Sequence, residues 1–131
     1  MENLWSLKAS EISKLYLSNE ISLDEIISSV EERFNQVNPK INAIPEPTFE
    51  YARKQAKLLD DNKKNDKPLG CLAGVPVTVK INTDQTGFAS TNGLRLNKSL
   101  IAHKNSTVID NLEKANLHRR ESRNFFFQME S

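Results

Sequence analysis

The clearest hydrophobic pattern in the chain is a short alternation within residues 74–82, GVPVTVKIN. Its aliphatic residues occupy every second position: Val75, Val77, Val79 and Ile81. This pattern is typical of a β-strand with one buried face. Pro76 stands near the start of the run, where a missing N–H donor is tolerated. Residues 75–81 are therefore predicted to form a strand, with Lys80 on the face opposite the aliphatic side chains.

Three segments before this strand carry apolar residues at helical spacing. They are residues 7–18, 23–37 and 48–62. The second segment has the strongest start signal, because Ser22 and Glu25 form an S-x-x-E capping box. Asn38-Pro39 is expected to end this helix, since a residue that precedes proline disfavours the helical conformation.

Polar segments separate these elements. Residues 41–47, INAIPEP, are expected to be extended, and residues 62–68, NKKNDKP, to form an exposed loop. Residues 82–93, NTDQTGFASTNG, are predicted to form a long loop, and loops of this length inside a domain are often functional. A last helix is predicted from Ser106, with Asn116 in the left-handed position that closes it.

The end of the chain is unlike the rest. Residues 117–131 read LHRRESRNFFFQMES, with three consecutive phenylalanines in an arginine-rich segment. This segment matches neither the helical nor the strand period, so no regular element is predicted there.

The composition of the chain argues against several classes of function. The 131 residues suffice for one modest domain, and the net charge of +1 gives no electrostatic case for nucleic-acid binding. Cys71 is the single cysteine, which excludes an internal disulfide and fits a reducing compartment. The sequence contains neither a secretory leader pattern nor an apolar run of membrane-spanning length. The expected location is cytoplasmic, without a membrane partner.

Lys80 is the leading candidate for chemistry. A lysine near a strand end either extends its ammonium into water or, when buried and neutral, takes a proton from a serine hydroxyl. Spacing alone favours the solvated alternative. Ser90 is the serine of the long loop nearest to Lys80, but a turn role is more typical of such a residue. Asp84 is either solvated or in contact with a substrate.

Metal and phosphate sites are not expected. His103 and His118 are isolated, Cys71 is the only thiol, and a metal site needs three or four converging ligands. No G-K-[ST] follows the glycines at 70 and 74, so no phosphate-binding loop is predicted. Cys71 has no basic neighbour and is expected to be inert. No cofactor is predicted.

One block of the sequence resembles a known family. Residues 68–93, PLGCLAGVPVTVKINTDQTGFASTNG, are similar to the first signature block of the amidase signature family. In that family a P-L-x-G-(V/I)-P-(V/I)-x-(V/I)-K strand leads to a D-x-x-G-containing loop and a T-x-G turn. NSTVIDNLEKAN (105–116) is similar to the family's D-(S/A)-x-V-V-x-x-L-x-x-A-G helix. The resemblance covers about residues 4–116 and leaves 117–131 as a divergent tail.

The resemblance implies a fold and a chemistry. The family fold is α/β, a mixed sheet covered by helices on both sides, and this chain would supply its N-terminal helices and first strands. Family members hydrolyse or transfer carboxamides with a serine, a cis-configured serine and a lysine. The matching lysine is Lys80, so the resemblance favours a catalytic Lys80 over a solvated one. The implied partner is a small amide substrate.

The sequence departs from the family pattern at several positions, and these departures change the activity that we expect of the chain. No Gly/Ser-rich run of the kind that carries both family serines occurs in the 131 residues, and the expected A-x-(I/V)-(I/V)-G-(R/K)-T-N strand is missing. Cys71 replaces a common proline, and Asn116 replaces the usual glycine. We therefore expect a truncated, partial amidase domain that is inactive alone, with uncovered apolar surface open to self-association.

Alternative functions remain open on the sequence alone. The wording of the signature block favours a general amidase over the A subunit of a tRNA-dependent amidotransferase. A non-catalytic remnant or a small binding module is a second class of function. An unrelated helical interaction protein would require the 74–93 block to be a coincidence.

Overall fold

The computed structural model describes residues 3–116 and 126–129 of the chain. The helices in these residues are α1 (Ala9–Leu17), α2 (Leu23–Ile41), α3 (Phe49–Lys64) and α4 (Thr107–Asn116), with short 3₁₀ helices at Leu4–Ser6 and Arg95–Ser99. The strands are β1 (Val77–Lys80) and β2 (Phe126–Met129). The order is therefore three helices, a strand, a helix and a strand, which agrees with the predicted α/β class.

The main hydrophobic core lies between the first three helices and the turn that leads into β1. Its buried residues are Leu4, Ile12, Tyr16, Leu23, Ile26, Ile27, Ala52, Ala56, Leu59, Ala73 and Val75. A smaller cluster joins β1 to α4 through Val79 and Ile109. Burial of one large aliphatic side chain contributes about 1.5–3 kcal/mol. Most of this stabilisation therefore comes from the helical layer.

The start of α2 is as the sequence predicts. The Ser22 hydroxyl accepts the N–H of Glu25 at 3.2 Å, and the Glu25 carboxylate accepts the N–H of Ser22 at 2.8 Å. The bond from the Ser22 backbone N–H, with a smaller contribution from the Ser22 hydroxyl, holds the pKa of Glu25 below its ordinary value. The capping box thus satisfies two N–H groups that a helix start leaves without a partner.

The predicted end of α2 is wrong, because the helix continues through Pro39 to Ile41. Pro39 lies in the last turn, where the N–H that it lacks would have bonded the carbonyl of Asn35. Asn35 is exposed, so water can satisfy that carbonyl. Asn42, at φ +46°, closes the helix and donates its N–H to the carbonyl of Asn38 at 2.7 Å.

The other helix boundaries lie near the predictions. α1 lies within the predicted segment 7–18, and α3 extends two residues beyond the predicted end at 62. Residues 62–64 are therefore helical, and the loop predicted for 62–68 is wrong there. Lys63 and Lys64 favour this extension, because positive charges stabilise the C-terminal end of a helix.

Tyr16 is the contact point of α1, α3 and the turn before β1. Its hydroxyl donates to Asp60 Oδ1 at 3.1 Å, and its carbonyl accepts the Lys63 ammonium. The same ammonium lies 4.2 Å from the centre of the Tyr16 ring. Burial, followed by the Asp60 charge and hydrogen bond, raises the pKa of Tyr16 above its ordinary value. The hydroxyl therefore remains a donor over the neutral pH range.

Gly74 packs directly on the Tyr16 ring. Its φ is +82°, and a Cβ at this position would lie 2.9 Å from two ring carbons. Both the left-handed backbone and the close approach exclude a side chain. The amide of Val75 then donates to the carbonyl of Leu72 at 3.0 Å, which completes the turn into β1.

β1 confirms the predicted alternation over a shorter length. Val75, Val79 and Ile81 are buried, whereas Thr78 and Lys80 are exposed. Regular strand geometry is confined to Val77–Lys80, because turns occupy both ends of the predicted segment 75–81. The side-chain pattern thus extends further than the strand hydrogen bonding.

The end of the chain contains a strand that the sequence pattern did not predict. The backbone of Phe126–Met129 pairs in parallel with β1, with Val77 opposite Phe126 and Lys80 opposite Met129. Phenylalanine favours strands, but four residues are too few to show a reliable period. α4 lies between the two strands in sequence, as expected for a parallel crossover. Residues 1–2, 117–125 and 130–131 lie outside the described part.

We predict that Ser22→Ala lowers the free energy of unfolding by about 1 kcal/mol, because the cap is lost. Urea unfolding followed by circular dichroism measures the change. Ser10→Ala is the matched control: Ser10 is exposed inside α1, where we expect a change within about 0.5 kcal/mol. Equal stability of wild type and Ser22→Ala would contradict the role of the cap.

We predict that Gly74→Ala is more destabilising than Gly93→Ala. Both glycines have positive φ, +82° and +78°, so alanine meets similar backbone strain at each position. Only at Gly74 does the new methyl group meet the Tyr16 ring, because no heavy atom lies within 4 Å at Gly93. We expect an added cost of about 1–3 kcal/mol from overpacking. Equal unfolding midpoints for the two variants would contradict the contact.

Candidate functional site

Lys80 is the last residue of β1 and lies on its exposed face beside Thr78. Its carbonyl accepts the N–H of Thr83 at 2.9 Å, which starts the turn after the strand. Within residues 3–116, its ammonium has no hydrogen bond or ion pair. This exposure agrees with the solvated alternative that spacing alone favoured, and the catalytic role that the resemblance implies stays a prediction. Val79, on the opposite face, is the residue that is buried against α4.

Ser90 is bonded to Asp84. The Ser90 hydroxyl donates to Asp84 Oδ1, and the Asp84 carbonyl accepts the N–H of Ser106 at 2.8 Å. Asp84 therefore connects the loop after β1 to the start of α4. A simple dyad of Ser90 and Lys80 has no support, because the hydroxyl is engaged by a carboxylate. The turn role expected for Ser90 is a bond from the hydroxyl to its own backbone, and the observed bond goes instead to a carboxylate six residues earlier.

The loop after β1 is more ordered than its sequence predicts. Residues 87–90 pair with residues 100–102 in a short antiparallel ladder, whose N–H···O distances are 2.9–3.1 Å. The side chain of Asn105 accepts the N–H of Thr86 at 2.8 Å. Sequence reasoning missed Asn105, although an asparagine just before a helix start is a common ligand of backbone N–H groups. The loop is thus held at several points along its length.

Gln85 is an unusual residue of this loop. It is 2% exposed, and neither polar atom of its side-chain amide has a hydrogen-bond partner. A buried amide without a partner is costly, and an ordered water often satisfies such a group. Phe88, three residues after Gln85, packs edge to face on Tyr51 of α3, with ring centres 5.0 Å apart. No sequence pattern indicated that Gln85 would be buried.

Concavities on the described surface include three whose lining does not contain Lys80. A groove of 350 Å³ runs between α2 and the entry of β1, with Trp5, Phe34 and Thr78 among its lining residues. A pocket of 170 Å³ includes Ile81, which follows Lys80 in sequence. A cleft of 740 Å³ lies beside Tyr16. The groove and the pocket therefore involve residues next to Lys80 in the strand or in sequence.

Metal ligands do not converge in the described residues. No three His, Cys, Asp or Glu side chains come close enough there to hold an ion. Cys71 is exposed and has a free thiol, and His103 is also exposed. His118 lies outside the described part. No helix of the described part is both long and apolar enough to span a bilayer.

Comparison with known proteins gives a consistent result. The profile of the family described as Amidase matches residues 25–118. The A subunit of glutamyl-tRNA(Gln) amidotransferase from Fusobacterium nucleatum is 35% identical over 112 residues, which cover 86% of this chain and 23% of the relative. An acylamidase from Rhodococcus erythropolis is 35% identical over 114 residues, which cover 87% of this chain and 24% of the relative.

A solved structure shares the same architecture. A bacterial aryl acylamidase of the amidase signature family superposes with a TM-score of 0.75 and 26% identity, over 94% of this chain and 25% of that chain. The 131-residue chain therefore spans about a quarter of the length of these relatives.

Proposed function

The chain belongs to the amidase signature family, and we propose that it is the N-terminal part of a domain that hydrolyses carboxamides, with Lys80 as its general base. The observation that supports this proposal is the position of Lys80 at the end of β1, inside the region 25–118 that the family profile matches. We propose residues 4–116 as the family-like part and 117–131 as the divergent part.

The proposed mechanism uses the neutral amine of Lys80. It accepts a proton, through a bridging serine, from a second serine hydroxyl that attacks the amide carbonyl carbon. The tetrahedral intermediate then collapses as the proton passes from Lys80 to the leaving nitrogen, so that the C–N bond breaks and ammonia or an amine departs. Water then hydrolyses the acyl ester, which releases the carboxylic acid and regenerates the serine. Neither serine segment occurs in the 131 residues, so this chain would supply only the base.

The proposal also requires that another part of the domain shields the Lys80 side chain from water. A lysine acts as a base only when its neutral form is favoured, and removal from water does this. Lys80 is exposed here, so the cover would come from the portion of the domain that the relatives possess in addition. Thr78 shares its face of β1 and would be covered with it.

The proposed substrate is a small carboxamide. This inference rests on the names of relatives, among them an acylamidase and an indoleacetamide hydrolase. A role within an amidotransferase A subunit is the alternative, since several relatives carry that name. We propose no nucleic-acid or membrane partner and a cytoplasmic location.

A non-catalytic binding module is the second candidate function. The observation in its favour is that Ser90, the one serine of residues 82–93, is bonded to Asp84, while Lys80 is exposed without a partner in the described residues. Under this candidate the chain binds a ligand and does not turn it over.

We predict that the 131-residue chain releases no ammonia from simple carboxamides above background. Hydrolysis needs a nucleophile, a base and an oxyanion site, and the loss of one member removes most of the catalysis. An ammonia assay on the purified chain measures this. Turnover that disappears in both Lys80→Ala and Ser90→Ala would contradict the prediction and would indicate a Ser–Lys dyad.

A chimera tests the role of Lys80 itself. This chain would replace the matching 114-residue segment of the Rhodococcus erythropolis acylamidase, and Lys80→Met would be compared with Lys104→Met, an exposed lysine beyond the strand. We expect loss of a general base to lower kcat by about 100-fold or more. Equal activity of the two variants in a folded, active chimera would exclude Lys80 as the base.

We also predict self-association of the isolated chain. Apolar residues are exposed near the second 3₁₀ helix: Leu94, Leu96, Leu100 and Ile101. Leu96 is 92% exposed, and contiguous apolar surface of this kind favours association. Sedimentation velocity over a range of concentrations measures it. We expect Leu96→Ser to shift the distribution toward monomer, and a monomeric wild type at all concentrations would contradict the prediction.

A further inference from the structure

The pocket beside the end of β1 combines charge with an apolar wall. Its volume is 170 Å³, and it is lined by Pro45, Glu46, Ile81, Thr91, Gly93, Leu94, Arg95 and Lys98. The segment before α3, the residue after β1, the loop at 91–94 and the second 3₁₀ helix contribute these residues. Residues distant in sequence thus meet at one concave surface.

The charges of this pocket do not neutralise one another through ion pairs. Arg95 and Lys98 are positive, and Glu46 is negative, which leaves a net charge of +1. The ion pairs found in the described residues both belong to Arg53, with Asp24 and with Glu31. Arg95 and Lys98 are therefore available to a ligand, and their net charge favours an anion.

The apolar wall limits the shape of the ligand. Ile81 is buried, and Leu94 and Pro45 present further hydrocarbon surface to the same pocket. A ligand that uses both features has a negative group at one end and a short hydrocarbon body at the other. A water molecule occupies about 30 Å³ of liquid volume, so the pocket accommodates a ligand of about six non-hydrogen atoms.

We propose that this pocket binds a small carboxylate, with the anion at Arg95 and Lys98 and the hydrocarbon body against Ile81. A guanidinium binds a carboxylate through two parallel N–H···O bonds, and an ammonium adds a second positive charge. The site does not depend on the catalytic role of Lys80, because Lys80 is not part of its lining.

Butyrate is the test ligand, and butyramide is its neutral counterpart of nearly the same shape. Both are titrated into the ¹⁵N-labelled chain, and amide chemical shifts are recorded. We expect butyrate to shift the amides of Ile81 and of residues 91–98, with weaker binding as salt increases. Butyramide should bind at least about tenfold more weakly, since it lacks the charge.

Charge variants identify the residues involved. Arg95→Gln and Lys98→Gln should each weaken butyrate binding several-fold, whereas Glu46→Gln should strengthen it, because a repelling charge is removed. Lys104→Gln changes the net charge equally but does not line the pocket, so it should leave the affinity unchanged. Amide dispersion in the same spectra shows whether each variant is folded.

Three results would overturn the proposal. They are the absence of shifts in residues 81 and 91–98 with butyrate, equal binding of butyrate and butyramide, and equal weakening by Lys104→Gln and Arg95→Gln. The proposed amidase function is tested separately by ammonia release, so binding without turnover, or turnover without binding here, distinguishes the two inferences.

Discussion

The close approach of Gly74 to the Tyr16 ring connects the two parts of this structure. Tyr16 belongs to α1 and is held from α3 by Asp60 and Lys63, so the ring has a defined place in the helical core. The turn before β1 then packs its bare backbone on that ring. The direction in which β1 leaves the core, and with it the position of Lys80 six residues later, follows from this contact.

Local signals in the sequence were reliable where a few neighbouring residues determine the outcome. The capping box of Ser22 and the alternation of residues 75–81 are of this kind, since both depend on short-range geometry. The end of α2 was not predictable from Pro39, because water can satisfy the carbonyl that proline leaves unpaired. The strand Phe126–Met129 depends on its pairing with β1, a contact that no local period reveals.

At the candidate site, too, the features set by neighbouring residues were predictable from the sequence, and those set by distant contacts were not. The motif around Lys80 identified the family, and the strand position of the lysine followed from alternation. Its exposure agrees with the same alternation, whereas the burial that a lysine base needs would depend on segments that are distant in sequence or belong to the longer relatives. The bond between Ser90 and Asp84, and the burial of Gln85, also arise from the folding of the loop onto α4 and the 100–102 segment. Family membership is therefore better determined by this sequence than the surroundings of Lys80.

The parallel pairing of β1 and β2 has a consequence for the order of folding. The contacts between the first three helices lie within residues 9–64, so all of their residues are synthesised well before residues 126–129. Val77 pairs with Phe126, and all of α4 lies between the two residues in sequence. During synthesis the helical core can therefore assemble before residues 126–129 leave the ribosome, and the edge of β1 that pairs with β2 is unpaired until then. In this interval β1 is the segment most open to pairing with another chain.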